Sequence, residues 1–245
     1  YATKIGFDIT IVVEKLFELE KIIQLARKTG INPKLGIRVK LSSKGTGKWA
    51  TSGGEDAKFG LRISEIITAI ESLKKNEMLD CVKLLHFHIG SQITKIDKVK
   101  NALIEGTRIY VEMKKLGVNL EYMDIGGGLG VDYDGSKSSY FSSVNYSIDE
   151  YANDVVYQIK NICDAAGIEC PNIISESGRA TVAHYSVLVT NVLNTNTTNQ
   201  AQDFESILTD DEQLSPTVKK LVDIYKSIDR HSVREDYHDT IQLIQ

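Results

Sequence analysis

The chain has no surplus of positive charge, no long apolar run and very little cysteine, and each shortage removes a class of function. Lys and Arg number 29 against 33 Asp and Glu, for a net charge of −4. No basic stripe runs along the sequence, so nucleic acid is not an expected partner. No apolar stretch approaches the roughly 20 residues a helix needs to cross a bilayer, and residues 1–6 lack the form of a signal peptide. A membrane is therefore not an expected partner either. The three cysteines, Cys81, Cys163 and Cys170, have no metal-ligand spacing and cannot all pair. They suit a reducing cytoplasm, where cysteine serves as a small core residue.

Two nucleotide signatures are also missing. The chain is rich in glycine around residues 124–135, but the spacing there is not Gly-x-Gly-x-x-Gly and no Lys-Ser/Thr follows, so neither a dinucleotide nor a P-loop site is indicated. What is present is an apolar run, residues 120–125, that leads directly into Gly126, Gly127 and Gly128. Glycine admits positive φ and close approach of a ligand, and successive N–H groups in such a turn can form an anion site. A phosphate on a cofactor other than a nucleotide is the best use for this turn.

Elsewhere apolar runs and helical patterns alternate. Strands are predicted at residues 8–13, 35–39, 83–88, 120–125 and 172–176, with a sixth at 185–193. Helical spacing is predicted over residues 14–29, from a Ser64 cap onward, over 98–116, after a Ser147/Glu150 capping box, and after Ser215 and Pro216. A polar, glycine-rich stretch covers residues 42–58, and another helical pattern starts near Ser232. A weak repeat of helix, glycine, β-branched residue, strand and polar residue ends at Arg38, Asp124 and Glu176. Alternating strands and helices imply parallel βα units. Polar residues at the C-terminal ends of nearly all strands imply part of a (β/α)8 TIM-type barrel, whose chemistry sits at that end; a doubly wound sheet is the rival. Composition changes at residues 194–200, so residues 1–193 are expected to form the partial barrel and 194–245 a polar linker with the start of a helical insertion.

Several residues could carry chemistry. Alternation on the third strand turns Leu85, Phe87 and Ile89 toward helices and His86 and His88 into the barrel mouth. A metal site on that pair is short of ligands, since only His184, His231 and His238 remain. The run Asp132, Tyr133, Asp134, Gly135 opens like a calcium loop but has Ser143 where glutamate is required. Glu176, Gly178 and Arg179 follow the fifth strand; a guanidinium suits phosphate, and a carboxylate could keep a ring nitrogen protonated. With an imidazole to stack on a ring, this inventory suits pyridoxal phosphate.

The set Arg38; Lys58, Phe59 and Gly60; residues 86–92; residues 124–130; and residues 176–179 resembles the pyridoxal-phosphate-dependent basic amino acid decarboxylases of the alanine-racemase fold. Residues 47–54, 130–135, 143–146 and 150–155 are similar to the arginine-specific branch of that family. The resemblance covers residues 5–193, and Tyr237, His238 and Asp239 resemble part of that branch's helical insertion.

The resemblance implies decarboxylation of L-arginine to agmatine and carbon dioxide, in polyamine (spermidine) biosynthesis, by a cytoplasmic homo-oligomer with pyridoxal 5'-phosphate and magnesium. It implies that His88 stacks on the cofactor ring and that Glu176 pairs with the ring nitrogen, these two being the catalytic residues. Ser91, Gly126, Gly127, Gly128, Gly178 and Arg179 would hold the phosphate. Met123, Asp124, Ile125, the three glycines, Leu129, Gly130, Val131, Asp132 and Tyr133 match the substrate-binding segment. The family's cofactor-bonding lysine lies on the first barrel strand, upstream of the part that aligns with residues 1–4. The expectation is thus an internal piece, inactive alone. Ornithine or diaminopimelate decarboxylases of the same fold are the rival enzymes. A non-catalytic regulatory homologue, or a metal-dependent barrel hydrolase, is the rival from another class.

Overall fold

The computed structural model describes residues 2–42, 57–194 and 215–227 and positions 236, 237, 239, 240 and 243. Strands β1 (Thr10–Val13), β2 (Lys34–Arg38), β3 (Val82–His86), β4 (Tyr122–Asp124) and β5 (Asn172–Ile174) alternate with helices α1 (Leu16–Thr29), α2 (Ile63–Lys75), α3 (Ile96–Lys115) and α4 (Ile148–Ala166). A short helix α5 (Gly178–Val182) and helix α6 (Pro216–Ser227) follow.

The helix boundaries are set by local chemistry. The Glu18 carboxylate accepts the N–H groups of Glu14 and Lys15, at 2.8 and 3.0 Å, and so starts α1. Ser147 Oγ accepts the Glu150 N–H at 3.1 Å and caps α4 as expected. Helix α2 differs: Glu65 accepts the Arg62 N–H at 2.8 Å, so the cap is Arg62, two residues before the expected Ser64, which lies inside the first turn. Gly30 and Gly167, at φ 67 and 64, end α1 and α4 in the left-handed conformation that glycine adopts without strain.

All four strand pairings are parallel and the order is β1-β2-β3-β4-β5. Crossovers between parallel strands are right-handed almost without exception. Strands added always on the same side therefore place the crossover helices α1 to α4 on one face, the arrangement of an arc of a barrel. A doubly wound sheet must reverse the direction of addition, and this one does not. The sheet is part of a (β/α) barrel.

The helix-facing layer is the core. Leu35, Leu61, Leu85, Met123, Leu103, Leu73 and Ile159 are at most 1% exposed. Phe87 faces α3 so closely that a Cβ on Gly106 would lie 2.4 Å from its ring. The other sheet face carries Val12, Gly36 and Leu84 in one register row, where a Cβ on Gly36 would meet Leu84 at 2.8 Å. The next row toward the C-terminal ends joins Arg38, His86 and Asp124. That polar row is the floor of the candidate site.

Two expectations need correction. The strand expected at 185–193 does not form: residues 186–194 have no regular structure, and Tyr185, Val187, Leu188 and Leu193 are 78–95% exposed. An apolar run becomes a strand only when a neighbour takes its backbone hydrogen bonds, and this run does not reach the outer edge of β5. Helical spacing also places Ile67 and Val156 on the apolar stripes of the second and fourth predicted helices, but both face outward, at 47% and 55% exposed. Most of the glycine-rich 42–58 stretch and of the 194–200 linker, and the start of the pattern near Ser232, lie outside the described residues.

Candidate functional site

The site is built where the chain leaves the strands. Glu14 follows β1 and pairs with Arg38 at the end of β2. The Arg38 guanidinium also lies 5.4 Å from the centroid of the Phe59 ring, close enough for a cation–π contact. Beside it, His86 ends β3 and is 7% exposed. Its Nδ1 is 3.1 Å from Asp124 Oδ2 and 3.3 Å from the Asp124 carbonyl. Both are acceptors, so Nδ1 carries the proton. Asp124 Oδ1 in turn accepts the Gly126 N–H at 2.9 Å. Burial pushes the Asp124 carboxyl up, but the bond from His86 and the Gly126 N–H outweigh it, with help from Glu176, and hold it below its ordinary value of 3.8.

His88 lies two residues beyond His86 on the same inward face and is half-buried. Its Nδ1 accepts the Gly127 N–H at 3.3 Å, so its proton sits on Nε2. Burial, then the charge of Arg38 and His86, pushes its pKa below 6.5, against a pull from Asp124. The Nδ1 atoms of the His-x-His pair therefore have opposite roles, one donating to a carboxylate and one accepting from a backbone amide.

The glycine turn owes its composition to crowding by backbone. A Cβ on Gly126 would lie 2.4 Å from the Phe87 carbonyl, on Gly127 2.6 Å from the Glu176 carbonyl, and on Gly128 2.5 Å from the Gly90 carbonyl. Gly126 and Gly128 also have φ of 70 and 111. The N–H groups of Gly126 and Gly127 point at Asp124 and His88 rather than outward. Glu176 is exposed, and its N–H donates to the Gly126 carbonyl at 3.0 Å.

Arg179, in α5, closes the group. Its Nη2 donates to Ser91 Oγ at 3.0 Å and its Nη1 to Tyr133 Oη at 3.3 Å. Residues from the ends of β3, β4 and β5 are thus brought together within one exposed cluster. Gly178, the first residue of α5, has open space where a Cβ would be. Of residues 123–133, Met123, Ile125, Leu129 and Val131 are buried in the core. Asp124, the turn glycines and Tyr133 remain toward the strand ends. Two residues without an assigned role also hold this turn: Gln92 bonds both backbone groups of Val131, and Tyr146 bonds Gly130. Their signal in the sequence was faint, a single amide and a single phenol far from the glycines.

The calcium-like loop is closed on itself. Asp132 Oδ1 accepts from the Gly135 N–H and from Ser143 Oγ, at 2.9 and 2.6 Å, and Asp134 Oδ2 accepts from Ser142 Oγ at 2.6 Å. Among the described residues no group of three or more His, Cys, Asp or Glu is placed to hold a metal ion.

Comparison with known proteins agrees with this architecture. Residues 1–183 match the family described as pyridoxal-dependent decarboxylase, pyridoxal binding domain. The whole chain is 82% identical to the biosynthetic arginine decarboxylase of Geobacter sp. (strain M21) and 85% identical to that of Pelobacter propionicus. It spans 39% of the length of each. Among solved structures, the biosynthetic arginine decarboxylase of Campylobacter jejuni is 37% identical, with a TM-score of 0.66 over 99% of this chain and 39% of that one. A diaminopimelate decarboxylase of Helicobacter pylori, complexed with L-lysine, is 25% identical, with a TM-score of 0.60 over 73% of this chain and 42% of that one. The chain belongs to the pyridoxal-dependent decarboxylases, and its first 183 residues match their pyridoxal-binding domain.

Proposed function

We propose that the protein containing this chain decarboxylates L-arginine to agmatine and carbon dioxide, with pyridoxal 5'-phosphate as cofactor. The observation that carries the reading is the Arg179 guanidinium held between the hydroxyls of Ser91 and Tyr133, beside the glycine turn. Those donors form an exposed, cationic set that suits a phosphate group. A neutral, half-buried His88 ring and the Glu176 carboxylate lie on the neighbouring strand ends. The donor set and the two side chains fit a phosphate-bearing pyridine ring.

When bound, that cofactor supplies an electron-accepting ring for the electron pair of the breaking bond to the departing carboxylate. The chain's own residues do the rest. Arg179 and Ser91 bind the phosphate beside the 126–128 turn, with open space at Gly178 leaving room for it. His88 presents a flat, uncharged face to the ring, its tautomer held by the Gly127 N–H. Glu176 holds a proton at the ring nitrogen, which keeps the ring electron-accepting. Asp124, itself held by His86 and Gly126, keeps a carboxylate at the end of β4. Arg38, turned toward Glu14, keeps a cation on the floor of the site.

High identity to arginine decarboxylases along the whole chain supports arginine over ornithine or diaminopimelate. In the same reading residues 1–193 are barrel and 194–245 enter a helical insertion, and the enzyme is a cytoplasmic homo-oligomer without nucleic-acid or membrane partners. Magnesium rests on resemblance alone. The test is to incubate the full-length protein and cofactor with arginine, ornithine, diaminopimelate and lysine, and to measure carbon dioxide and the amine formed. Agmatine from arginine, with the other three turned over at least about a hundredfold more slowly, is the expected result; that ratio corresponds to roughly 2.7 kcal/mol of discrimination. A preference for another substrate, or no turnover of any, would overturn the reading.

A further inference from the structure

After β3 the chain turns through Gly90, at φ 126, and Gln92, at φ 54. A positive φ is uncommon for a residue with a side chain. Here it accompanies a side chain that crosses to Val131. Gln92 Oε1 accepts the Val131 N–H at 3.0 Å, and Gln92 Nε2 donates to the Val131 carbonyl at 2.7 Å. Nε2 also reaches the Ser143 carbonyl at 3.4 Å. One amide thus satisfies both backbone groups of a buried residue that lies outside strands β1 to β5.

Tyr146 does the same work one residue earlier. Its hydroxyl accepts the Gly130 N–H at 3.1 Å and donates to the Ile93 carbonyl at 2.7 Å. Between the two, the Ile93 N–H donates to the Gly128 carbonyl at 2.9 Å. Residues 128, 130 and 131 are therefore each tied, directly or through Tyr146, to residues 92 and 93. Ser91, the hydroxyl that Arg179 reaches, is the residue before Gln92.

We propose that Gln92, seconded by Tyr146, is a positioning residue for phosphate recognition: it holds the glycine turn in fixed register with Ser91 and Arg179 by acting on the Val131 backbone. The inference rests on the pyridoxal-phosphate reading above. It also explains why an amide stands at this position. Val131 requires both a donor and an acceptor. A glutamate could still accept from the Val131 N–H, but it would set a carboxylate against the carbonyls of Val131 and Ser143. An asparagine tolerates positive φ but is one methylene too short to reach.

The test uses the full-length protein with Gln92→Leu, Gln92→Asn and Gln92→Glu. Affinities for pyridoxal phosphate and for pyridoxal, which lacks the phosphate, are measured by titration, and amide hydrogen exchange is followed without cofactor. Loss of two hydrogen bonds should weaken pyridoxal phosphate roughly ten- to fiftyfold, while pyridoxal changes less than about twofold. The Val131 amide should exchange about tenfold faster or more, with amides of β1 and β2 unchanged. Equal weakening of both ligands, unchanged affinity for both, or faster exchange throughout the chain would overturn the proposal. Should Gln92→Leu fail to fold, Gln92→Asn keeps a polar side chain that accepts this φ and decides the matter. Should the unaltered protein fail to bind pyridoxal phosphate, the functional reading falls. Exchange at Val131 then still decides whether Gln92 holds the turn.

Discussion

The Nδ1 of His88 lies 3.3 Å from the amide nitrogen of Gly127 and accepts a hydrogen bond from its N–H. This one bond joins the end of β3 to the turn after β4, 39 residues on, and fixes which ring nitrogen of His88 carries hydrogen. It also turns the Gly127 N–H inward. The glycine turn is thus packed primarily against protein backbone, with the Glu176 carbonyl pressed against Gly127. His88, Gly127 and Glu176 are thus neighbours at the ends of β3, β4 and β5.

His88 gives the fold a pH dependence whose sign follows from its partners. Its pKa is lowered by burial and by Arg38 and His86, so between the folded value and the ordinary value of 6.5 the unfolded chain binds the proton first. The stability this contributes is present above about pH 6.5 and is lost as pH falls through that window. Urea unfolding should give a lower midpoint near pH 5 than near pH 7, and His88→Gln should flatten the dependence. Asp124 acts lower, its folded carboxyl lying below 3.8; its contribution persists above that range and is lost only as pH falls through its folded value. Equal slopes in both proteins would remove His88 from this account.

Glu176→Gln should leave pyridoxal phosphate bound but slow arginine turnover by about a hundredfold or more in the full-length enzyme. An amide cannot hold a proton at the ring nitrogen, and each tenfold loss corresponds to about 1.4 kcal/mol of barrier. Steady-state kinetics at saturating cofactor measure this, and near-normal turnover would exclude Glu176 from the chemistry.

Arg179→Ala should weaken cofactor binding more than turnover at saturation. A charged hydrogen-bond donor contributes roughly 1.5–3 kcal/mol, or about ten- to a hundredfold in affinity. Arg179→Lys should restore only part of it, because a point charge does not reproduce a planar fork. Equilibrium titration decides between this and an unchanged dissociation constant, which would leave Arg179 as a link between Ser91 and Tyr133 only.

Gly106→Ala is a test of packing beneath the site. Within a helix, alanine is favoured over glycine by about 1 kcal/mol. Here the added methyl would lie 2.4 Å from the Phe87 ring, and Phe87 is 2% exposed with little room to yield. Overpacking of this kind costs about 1–3 kcal/mol, so the net change should be destabilising by up to about 2 kcal/mol. Because Phe87 precedes His88, cofactor affinity should fall as well. Denaturant unfolding of the variant measures the first effect, and a stabilised protein would contradict the crowding.

The amino-acid sequence by itself determined the elements whose causes are local. The α1 and α4 helices, the Ser147 cap, the left-handed glycines at 30 and 167 and the inward turn of His86 and His88 all follow from periodicity and from side chains reaching three or four residues. The family resemblance likewise came from short motifs in order. The tertiary structure decided what depends on distant partners. Whether residues 185–193 become a strand, which N–H groups of the glycine turn face outward, that Arg179 meets Ser91 across 88 residues, and that Gln92 serves Val131 are all long-range matters. Each requires a donor and an acceptor brought together by the parallel order of the sheet. A sequence lists those groups but does not carry the register that pairs them.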